Sequence, residues 1–169
     1  MNKKNFSNPA FIVPLSIFIF SVGPLVIAYS VEYFLKIEPC VLCLYQRIPY
    51  FASGILGLIA LVVSYRRVRI VEAAGIIFGF GAAIAFYHVG VEQHWWASVV
   101  ACGAQDEAGG AKTVEELQKF LLAGKSVKTC DSINWSLFGF SMATYNVFFS
   151  LTLAIVSFVG AFKIGACNE

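Results

Sequence analysis

Charge is what this sequence has least of: only 13% of its 169 residues are Asp, Glu, Lys or Arg. A soluble domain usually carries about 25% charged and about 45–50% apolar residues, whereas this chain is 59% apolar. The composition therefore indicates an integral membrane protein. A net charge of +2 without a basic block argues against a nucleic-acid partner. The chain also lacks an internal repeat, a phosphate-binding glycine loop and a Ser/His/Asp arrangement.

Long uncharged or nearly uncharged runs are present instead. They cover residues 10–31, 44–63, 73–91 and 137–162, each close to the roughly 20 residues that a helix needs to cross a bilayer. Because hydrocarbon offers no partner to an unpaired backbone group, we predict an all-α membrane protein with a four-transmembrane-helix bundle. The first run is too long for a signal-peptide core and has no clear cleavage site. The whole chain, 1–169, is then a single integral membrane domain.

The basic residues near the ends of these runs predict the orientation of the bundle. Two lysines precede the first run, three arginines lie in the turn SYRRVRI at 64–70, and Lys163 follows the fourth run. Positive residues near span ends stay in the cytoplasm, so both termini are predicted to be cytoplasmic. Residues 32–43 and 92–136 then form two loops on the outside. In the second loop, Glu92 is expected to be solvated, and residues 113–122 are expected to form a short helix.

Four of the five cysteines fall on this outer, oxidising face. Cys40 and Cys43 form a C-x-x-C pair in EPCVLCLYQR, Cys102 and Cys130 lie in the second loop, and Cys167 is alone near the cytoplasmic end. Four thiolates are able to hold zinc. An oxidising compartment and the wide spacing of the second pair argue against that, and we predict no metal site.

Structural disulfides are another interpretation of these cysteines. A Cys102–Cys130 bond would stabilise the fold by roughly 3–4 kcal/mol in the chain-entropy model. A Cys40–Cys43 bond closes almost no loop and removes little chain entropy. Because small, strained C-x-x-C rings are typically redox-active, we favour redox chemistry for this pair.

Two ionisable residues near the C-x-x-C pair are candidates for the same site. Arg47 follows Cys43 by four residues and shares its helix face if α-helix has begun. A positive charge about 6 Å from a thiolate stabilises it by roughly 3 kcal/mol at an effective dielectric near 20. Alternatively, Arg47 only reaches for lipid headgroups, and Pro49 leaves the helix start open. His88 approaches the outer face from the third run, either as a proton-moving group or as a plain interfacial histidine.

The stretch PCVLCLYQR, the two further cysteines and the four spans resemble the disulfide bond formation protein B family, DsbB. The stretch CDSINWSLFGFSMATYN also resembles the lead from the family's last cysteine into its fourth span. The resemblance covers nearly the whole chain. It implies a quinone-dependent thiol oxidase, a protein-disulfide oxidoreductase in a bacterial inner membrane, with the loops 32–43 and 92–136 in the periplasm.

The resemblance also implies a role for each cysteine. A periplasmic, thioredoxin-fold, DsbA-like dithiol oxidase would attack a Cys102–Cys130 disulfide and take Cys102 into a mixed disulfide. Cys130 would then attack Cys40. Cys43 would leave as a thiolate and pass its electrons to ubiquinone or menaquinone.

By the same resemblance, Arg47 and His88 would line the quinone site.

The residues alone leave two other functions open. One is a transporter that carries thiol reducing power across the membrane, which would favour cysteines within the spans. The other is a non-enzymatic membrane assembly protein whose disulfides are structural.

Overall fold

The computed structural model describes residues 8–36, 39–96, 130, 136–137 and 139–166. Four long helices dominate this part of the chain: α1 Pro9–Leu35, α2 Val41–Val62, α3 Arg67–Glu92 and α4 Met142–Ala166. A short antiparallel hairpin, β1 Ser136–Leu137 and β2 Phe140–Ser141, precedes α4.

All four helices are long and apolar enough to cross a membrane, which confirms the predicted all-α membrane bundle. The shortest, α2, has 22 residues, and at about 1.5 Å per residue it spans the roughly 30 Å of a hydrocarbon core. Large apolar side chains such as Ile27, Phe80 and Phe148 point outward. This is the surface that a bilayer, rather than water, would cover.

The first interhelical connection is shorter than the predicted loop 32–43. α1 continues to Leu35 and α2 already begins at Val41, because the charged Glu32 is accommodated within α1. Cys43 consequently lies in the first turn of α2 instead of in a loop. Asn8 caps α1 by accepting a hydrogen bond from the backbone N–H of Ala10 at 3.0 Å.

The fourth span also differs from its prediction. It was expected to begin at residue 137, but β1 and β2 occupy Ser136–Leu137 and Phe140–Ser141, and α4 begins at Met142. The predicted short helix at 113–122 and most of the loop 92–136 lie outside the described residues. The same holds for the two N-terminal lysines.

Small residues let the helices approach closely, as is common where helices pack in membranes. α1 packs on α2, and α3 packs on both α2 and α4. A Cβ atom at Gly57 would lie 3.0 Å from the backbone nitrogen of Phe18, and one at Gly75 would lie 3.2 Å from Cβ of Ser157. Among the described residues, the largest fully buried side chain is that of Phe78 in α3.

The turn between α2 and α3 is held by Arg67. Its Nε donates to the carbonyl oxygen of Ala60 at 2.8 Å, and its Nη2 donates to Ser64 Oγ at 3.1 Å and to the carbonyl of Leu61 at 3.4 Å. The last carbonyls of a helix have no partner within it, and a cation there also suits the helix dipole. Arg67 therefore closes the C-terminal end of α2.

Candidate dithiol site

The two thiols of the C-x-x-C pair lie at the N-terminus of α2. Cys40 is the N-cap residue, and its sulfur accepts a hydrogen bond from the backbone N–H of Cys43 at 3.3 Å. Both cysteines are free thiols, and their Sγ atoms are 2.8 Å apart. Since the N-terminus of a helix favours an anion, this position favours a thiolate at Cys40.

His88 of α3 lies beside the pair. Its Nε2 is 3.6 Å from Cys40 Sγ, and the ligating atoms of Cys40, Cys43 and His88 all lie within 4.8 Å of one another. The imidazole is only 3% exposed. The structure thus brings together three side chains that the sequence placed near one face of the membrane.

The surroundings of Cys40 lower the pKa of its thiol to about 4. The hydrogen bond from the Cys43 side chain is the largest cause, and the hydrogen bond of His88 acts in the same direction. Burial opposes them by penalising the charged sulfur. These surroundings therefore favour the thiolate of Cys40 over its thiol while the pair is reduced.

Arg47 is engaged with α1. Its Nη1 donates to Glu32 Oε2 at 2.8 Å, and its guanidinium carbon lies 4.6 Å from the centre of the Tyr29 ring. The sequence predicted that Arg47 stabilises a Cys43 thiolate. The structure pairs the charge of Arg47 with Glu32, so the stabilisation of a Cys43 thiolate by Arg47 stays a prediction.

Pro49 lies inside α2 without ending it. Its ring packs toward α3, where a Cβ atom at Gly81 would lie 3.1 Å from Cβ of Pro49. Cys43 and Arg47 are thus four residues apart on one continuous helix and share a face. Pro49 does not interrupt the helix between Cys43 and Arg47. Arg47 therefore lies one turn from the dithiol, with its charge paired to Glu32.

A chain of polar side chains leads away from His88 through the bundle. Gln46 Nε2 is 2.7 Å from His88 Nδ1, and Asn146 Nδ2 donates to Gln46 Oε1 at 2.5 Å. The Tyr50 hydroxyl donates to Asn146 Oδ1 at 2.5 Å and lies 2.8 Å from Ser150 Oγ. Sequence reasoning missed these residues. Their signal is polar side chains at helical spacing inside apolar runs, 46 and 50 in one helix and 146 and 150 in another.

Glu92 is a second neighbour of His88, as the last residue of α3. Its Oε1 lies 3.8 Å from His88 Nε2, and its Oε2 accepts a hydrogen bond from Ser141 Oγ. The side chain is only 7% exposed. The expectation that Glu92 is a solvated loop residue was therefore wrong, because α3 reaches this residue and the hairpin before α4 covers it.

Cys130 lies in the same buried cluster as the C-x-x-C pair. Cys40 and Cys130 are 4% and 1% exposed and pack with Leu42 and Val91. Cys43 borders this cluster. Cys130 is disulfide-bonded, and its partner, like the predicted site residue Cys102 and the terminal Cys167, lies outside the described residues.

These features define a class of protein: a multi-span membrane protein with a dithiol at the N-terminus of one span and a further, disulfide-bonded cysteine packed beside it. Comparison with known families agrees with this class. The family model described as "Disulfide bond formation protein DsbB" matches residues 11–160. The chain therefore belongs to the DsbB family, whose name assigns it to disulfide bond formation.

Curated relatives carry the same description. The "Disulfide bond formation protein B" of Xylella fastidiosa (strain 9a5c) is 29% identical over 150 residues, which cover 86% of each chain. The protein of that name from Methylobacillus flagellatus is 30% identical over 151 residues, 85% of this chain and 82% of the relative. No solved structure gives a significant match. Disulfide bond formation is an oxidoreductase function, and the dithiol is the group suited to it.

Proposed function

We propose that the protein is a quinone-dependent thiol oxidase that reoxidises a periplasmic, DsbA-like dithiol oxidoreductase. One observation carries the proposal: the free thiols of Cys40 and Cys43 share a buried cluster with the disulfide-bonded Cys130. Thiol–disulfide exchange requires a thiolate to reach a disulfide sulfur. A dithiol and a disulfide within one cluster meet that requirement.

The proposed exchange between the two cysteine pairs uses this arrangement. A thiolate of the partner attacks Cys102 of a Cys102–Cys130 disulfide, and Cys130 leaves with the electron pair. Cys130 then attacks Cys40 of an oxidised Cys40–Cys43 pair, so that a Cys40–Cys130 bond forms and Cys43 leaves as a thiolate. The packing of Cys130 with Cys40 favours this pairing. Cys43 is then a thiolate, and the oxidation of the partner is complete when the partner's second thiol releases Cys102.

The low pKa of Cys40 suits the return step. When Cys102 is released by the partner and attacks Cys130, Cys40 is the leaving group of the Cys40–Cys130 bond. Exchange is faster when the leaving thiol has a low pKa, and the pKa of Cys40 is about 4. Cys40 thus returns as a thiolate with its sulfur next to that of Cys43, ready to re-form the pair.

An apolar groove beside this site fits a quinone. The helix face that carries Cys43 and Arg47 continues with Tyr50 and Gly54, which line a groove of about 550 Å³ against α1. Tyr29, which holds Arg47, lines the groove from the other side. A ubiquinone or menaquinone would supply the two-electron acceptor. Its isoprenoid tail suits the groove, and Arg47 would hold one of its oxygens, whereas the expected contact between His88 and the quinone stays a prediction.

The orientation of the protein is part of the proposal. Cys40 lies at the N-terminal end of α2, and the turn with Arg67 lies at the opposite end of that span. If the Arg-rich turn is cytoplasmic, as positive residues near span ends usually are, the dithiol faces the periplasm. The protein would then be a multi-pass protein of the bacterial inner membrane that meets its dithiol partner on the oxidising side.

An enzyme assay with purified protein tests the proposal. Reduced thioredoxin-fold partner and a short-chain ubiquinone or menaquinone are mixed with the protein, and loss of partner thiols and of oxidised quinone are followed together. We expect one quinone to be reduced per disulfide formed, with turnover lost in Cys43→Ser and Cys102→Ser and kept in Cys167→Ser. If either of the first two variants turns over normally, the proposal is wrong and a structural role for these disulfides is favoured.

A further inference from the structure

The hydrogen bonds between Tyr50 and His88 all run in one direction. The Tyr50 hydroxyl donates to the amide oxygen of Asn146, whose nitrogen donates to the amide oxygen of Gln46. The nitrogen of Gln46 then faces His88 Nδ1 at 2.7 Å. An amide nitrogen has only protons to offer, so Nδ1 is the acceptor of this last bond.

This series of hydrogen bonds determines which ring nitrogen of His88 carries the proton. A neutral imidazole has one N–H, and when Nδ1 accepts, the proton is on Nε2. Nε2 is the atom that faces Cys40 Sγ at 3.6 Å and Glu92 Oε1 at 3.8 Å. We propose that Gln46 and Asn146 are positioning residues that hold His88 in its Nε2–H tautomer and thereby aim its proton at the sulfur of Cys40.

The surroundings couple the directions of these hydrogen bonds to one another. Gln46 is 7% exposed, Tyr50 4% and Ser150 fully buried, and they lie within spans where an unpaired polar group is costly. If Gln46 turned its oxygen toward His88, its nitrogen would face the nitrogen of Asn146. Asn146 would have to turn as well, and the Tyr50 hydroxyl would then accept from the Asn146 nitrogen and donate to Ser150 Oγ instead. The bonds therefore reverse together or not at all.

The chemical consequence rests on the proposed function. A hydrogen bond to an ionised group is roughly twice as strong as one between neutral groups, so an Nε2–H aimed at Cys40 favours the thiolate over the thiol. In the proposed exchange, Cys40 leaves as a thiolate from its bond with Cys130. Gln46 and Asn146 would thus affect how readily Cys40 leaves as a thiolate, although neither side chain contacts Cys40 directly.

Asn146→Asp is the variant that separates positioning from packing. It preserves the shape of the side chain but removes the amide donor that fixes Gln46. The carboxylate that it introduces accepts from Tyr50 and also from the nitrogen of Gln46, which turns the Gln46 oxygen toward His88. We expect His88 to move its proton to Nδ1, although the substitution does not touch it.

Nitrogen-15 NMR of histidine-labelled, reduced protein in lipid nanodiscs distinguishes the two tautomers directly. The His94→Asn background leaves His88 as the only histidine, and His94 is exposed with a φ of 56°, which asparagine tolerates. We expect an Nε2–H signal in this background and an Nδ1–H signal after Asn146→Asp. The alkylation profile of Cys40 should shift upward by about one pH unit, a tenfold change in thiolate.

Tyr50→Phe is the matched control. It removes one donor to Asn146 Oδ1, but Ser150 Oγ still donates to that atom at 3.1 Å, so the Nε2–H signal should remain. An Nδ1–H signal in the starting protein overturns the inference, whether or not Asn146→Asp folds. An unchanged tautomer in folded Asn146→Asp also overturns it, because packing alone would lower stability without moving the proton. The measurement uses neither quinone nor dithiol partner, so its failure is independent of the proposed enzyme activity.

Discussion

The two ends of α2 use polar side chains for different purposes. At the C-terminal end, the long side chain of Arg67 satisfies the carbonyls of Ala60 and Leu61 near the surface. At the N-terminal end, Cys40 accepts from the first turn of the helix and from His88, and neutral groups behind His88 are bonded in series. At the C-terminal end, a cationic side chain satisfies the helix carbonyls. At the N-terminal end, the contacts favour a negative charge on the sulfur of Cys40.

This difference separates stability from chemistry. A side chain that only closes a helix contributes a hydrogen bond or two, and its loss lowers the free energy of unfolding. A side chain that acts on Cys40 also changes how easily the sulfur ionises and leaves. Substitutions at the Arg67 end should therefore move the melting temperature alone, and substitutions at the Cys40 end should move thiol reactivity as well.

The largest effect is expected from Cys40→Ser. Without this sulfur Cys130 has no disulfide to attack, so partner oxidation should fall by roughly a thousandfold or more, as when a nucleophile is removed from other enzymes. Serine is a good N-cap residue, so the melting temperature should change little. The initial rate of partner oxidation, beside a thermal melt, checks this. Turnover within tenfold of the unsubstituted protein would contradict the proposed route through Cys40.

The pH dependence of Cys40 alkylation gives the next largest effect. Its pKa is lowered to about 4, so the thiolate is present above that pH and is lost only below it, whereas an ordinary thiol with a pKa of about 8.5 is nearly unreactive at pH 6. We expect reduced Cys40 to react with iodoacetamide at nearly full rate at pH 6. Site-resolved mass spectrometry measures this rate.

Substitution of Cys43 sharpens the same measurement. The hydrogen bond from the Cys43 side chain is the largest cause of the low pKa. Cys43→Ala removes this donor and should raise the pKa of Cys40, whereas Cys43→Ser keeps a hydroxyl donor and should raise it less. Equal profiles for the two variants would show that the helix N-terminus and His88 determine the pKa, not the neighbouring side chain.

Local signals explain what the sequence could predict. Uncharged runs of about 20 residues identify spans wherever they occur, and the spacing of Cys40 and Cys43 identifies a redox pair without any knowledge of the fold. The predicted span ended at residue 31 because Glu32 is charged. In the structure α1 continues past it, since Arg47 neutralises Glu32 from the neighbouring helix.

Long-range pairing explains what the sequence could not show. Gln46 and Asn146 are 100 residues apart, and an amide inside an apolar run does not reveal which other amide it meets. The burial of Glu92 depends on Ser141, which is 49 residues away. Because the sequence does not reveal these contacts, Arg47 was the nearest charged partner that it offered for a thiolate. The local rule thus selected the right neighbourhood, but it could not show that Arg47 is paired with Glu32.

Arg67→Met tests the other end of α2. It removes the donors to Ala60 O and Ser64 Oγ and should lower the free energy of unfolding by about 1–3 kcal/mol. The alkylation profile of Cys40 should not change, because the two ends lie on opposite sides of the span. Arg69 is an exposed residue in the first turn of α3, so Arg69→Met is the control and should cost no more than about 0.5 kcal/mol. A shifted Cys40 profile in Arg67→Met would contradict the separation of the two ends.

Ser141→Ala should have the smallest effect of these substitutions. Ser141 belongs to neither end of α2, but it contacts Glu92, which lies near His88. Ser141 Oγ accepts from the backbone N–H of Thr144 at 3.2 Å in the first turn of α4 and donates to Glu92. Loss of this cap should lower the free energy of unfolding by about 1 kcal/mol. Glu92 Oε1 also lies near His88 Nε2, so a freed Glu92 would compete with Cys40 for that proton. Unfolding in denaturant measures the first effect and Cys40 alkylation the second. If stability falls with no change in alkylation, Glu92 belongs to the scaffold and only the chain through Gln46 governs His88.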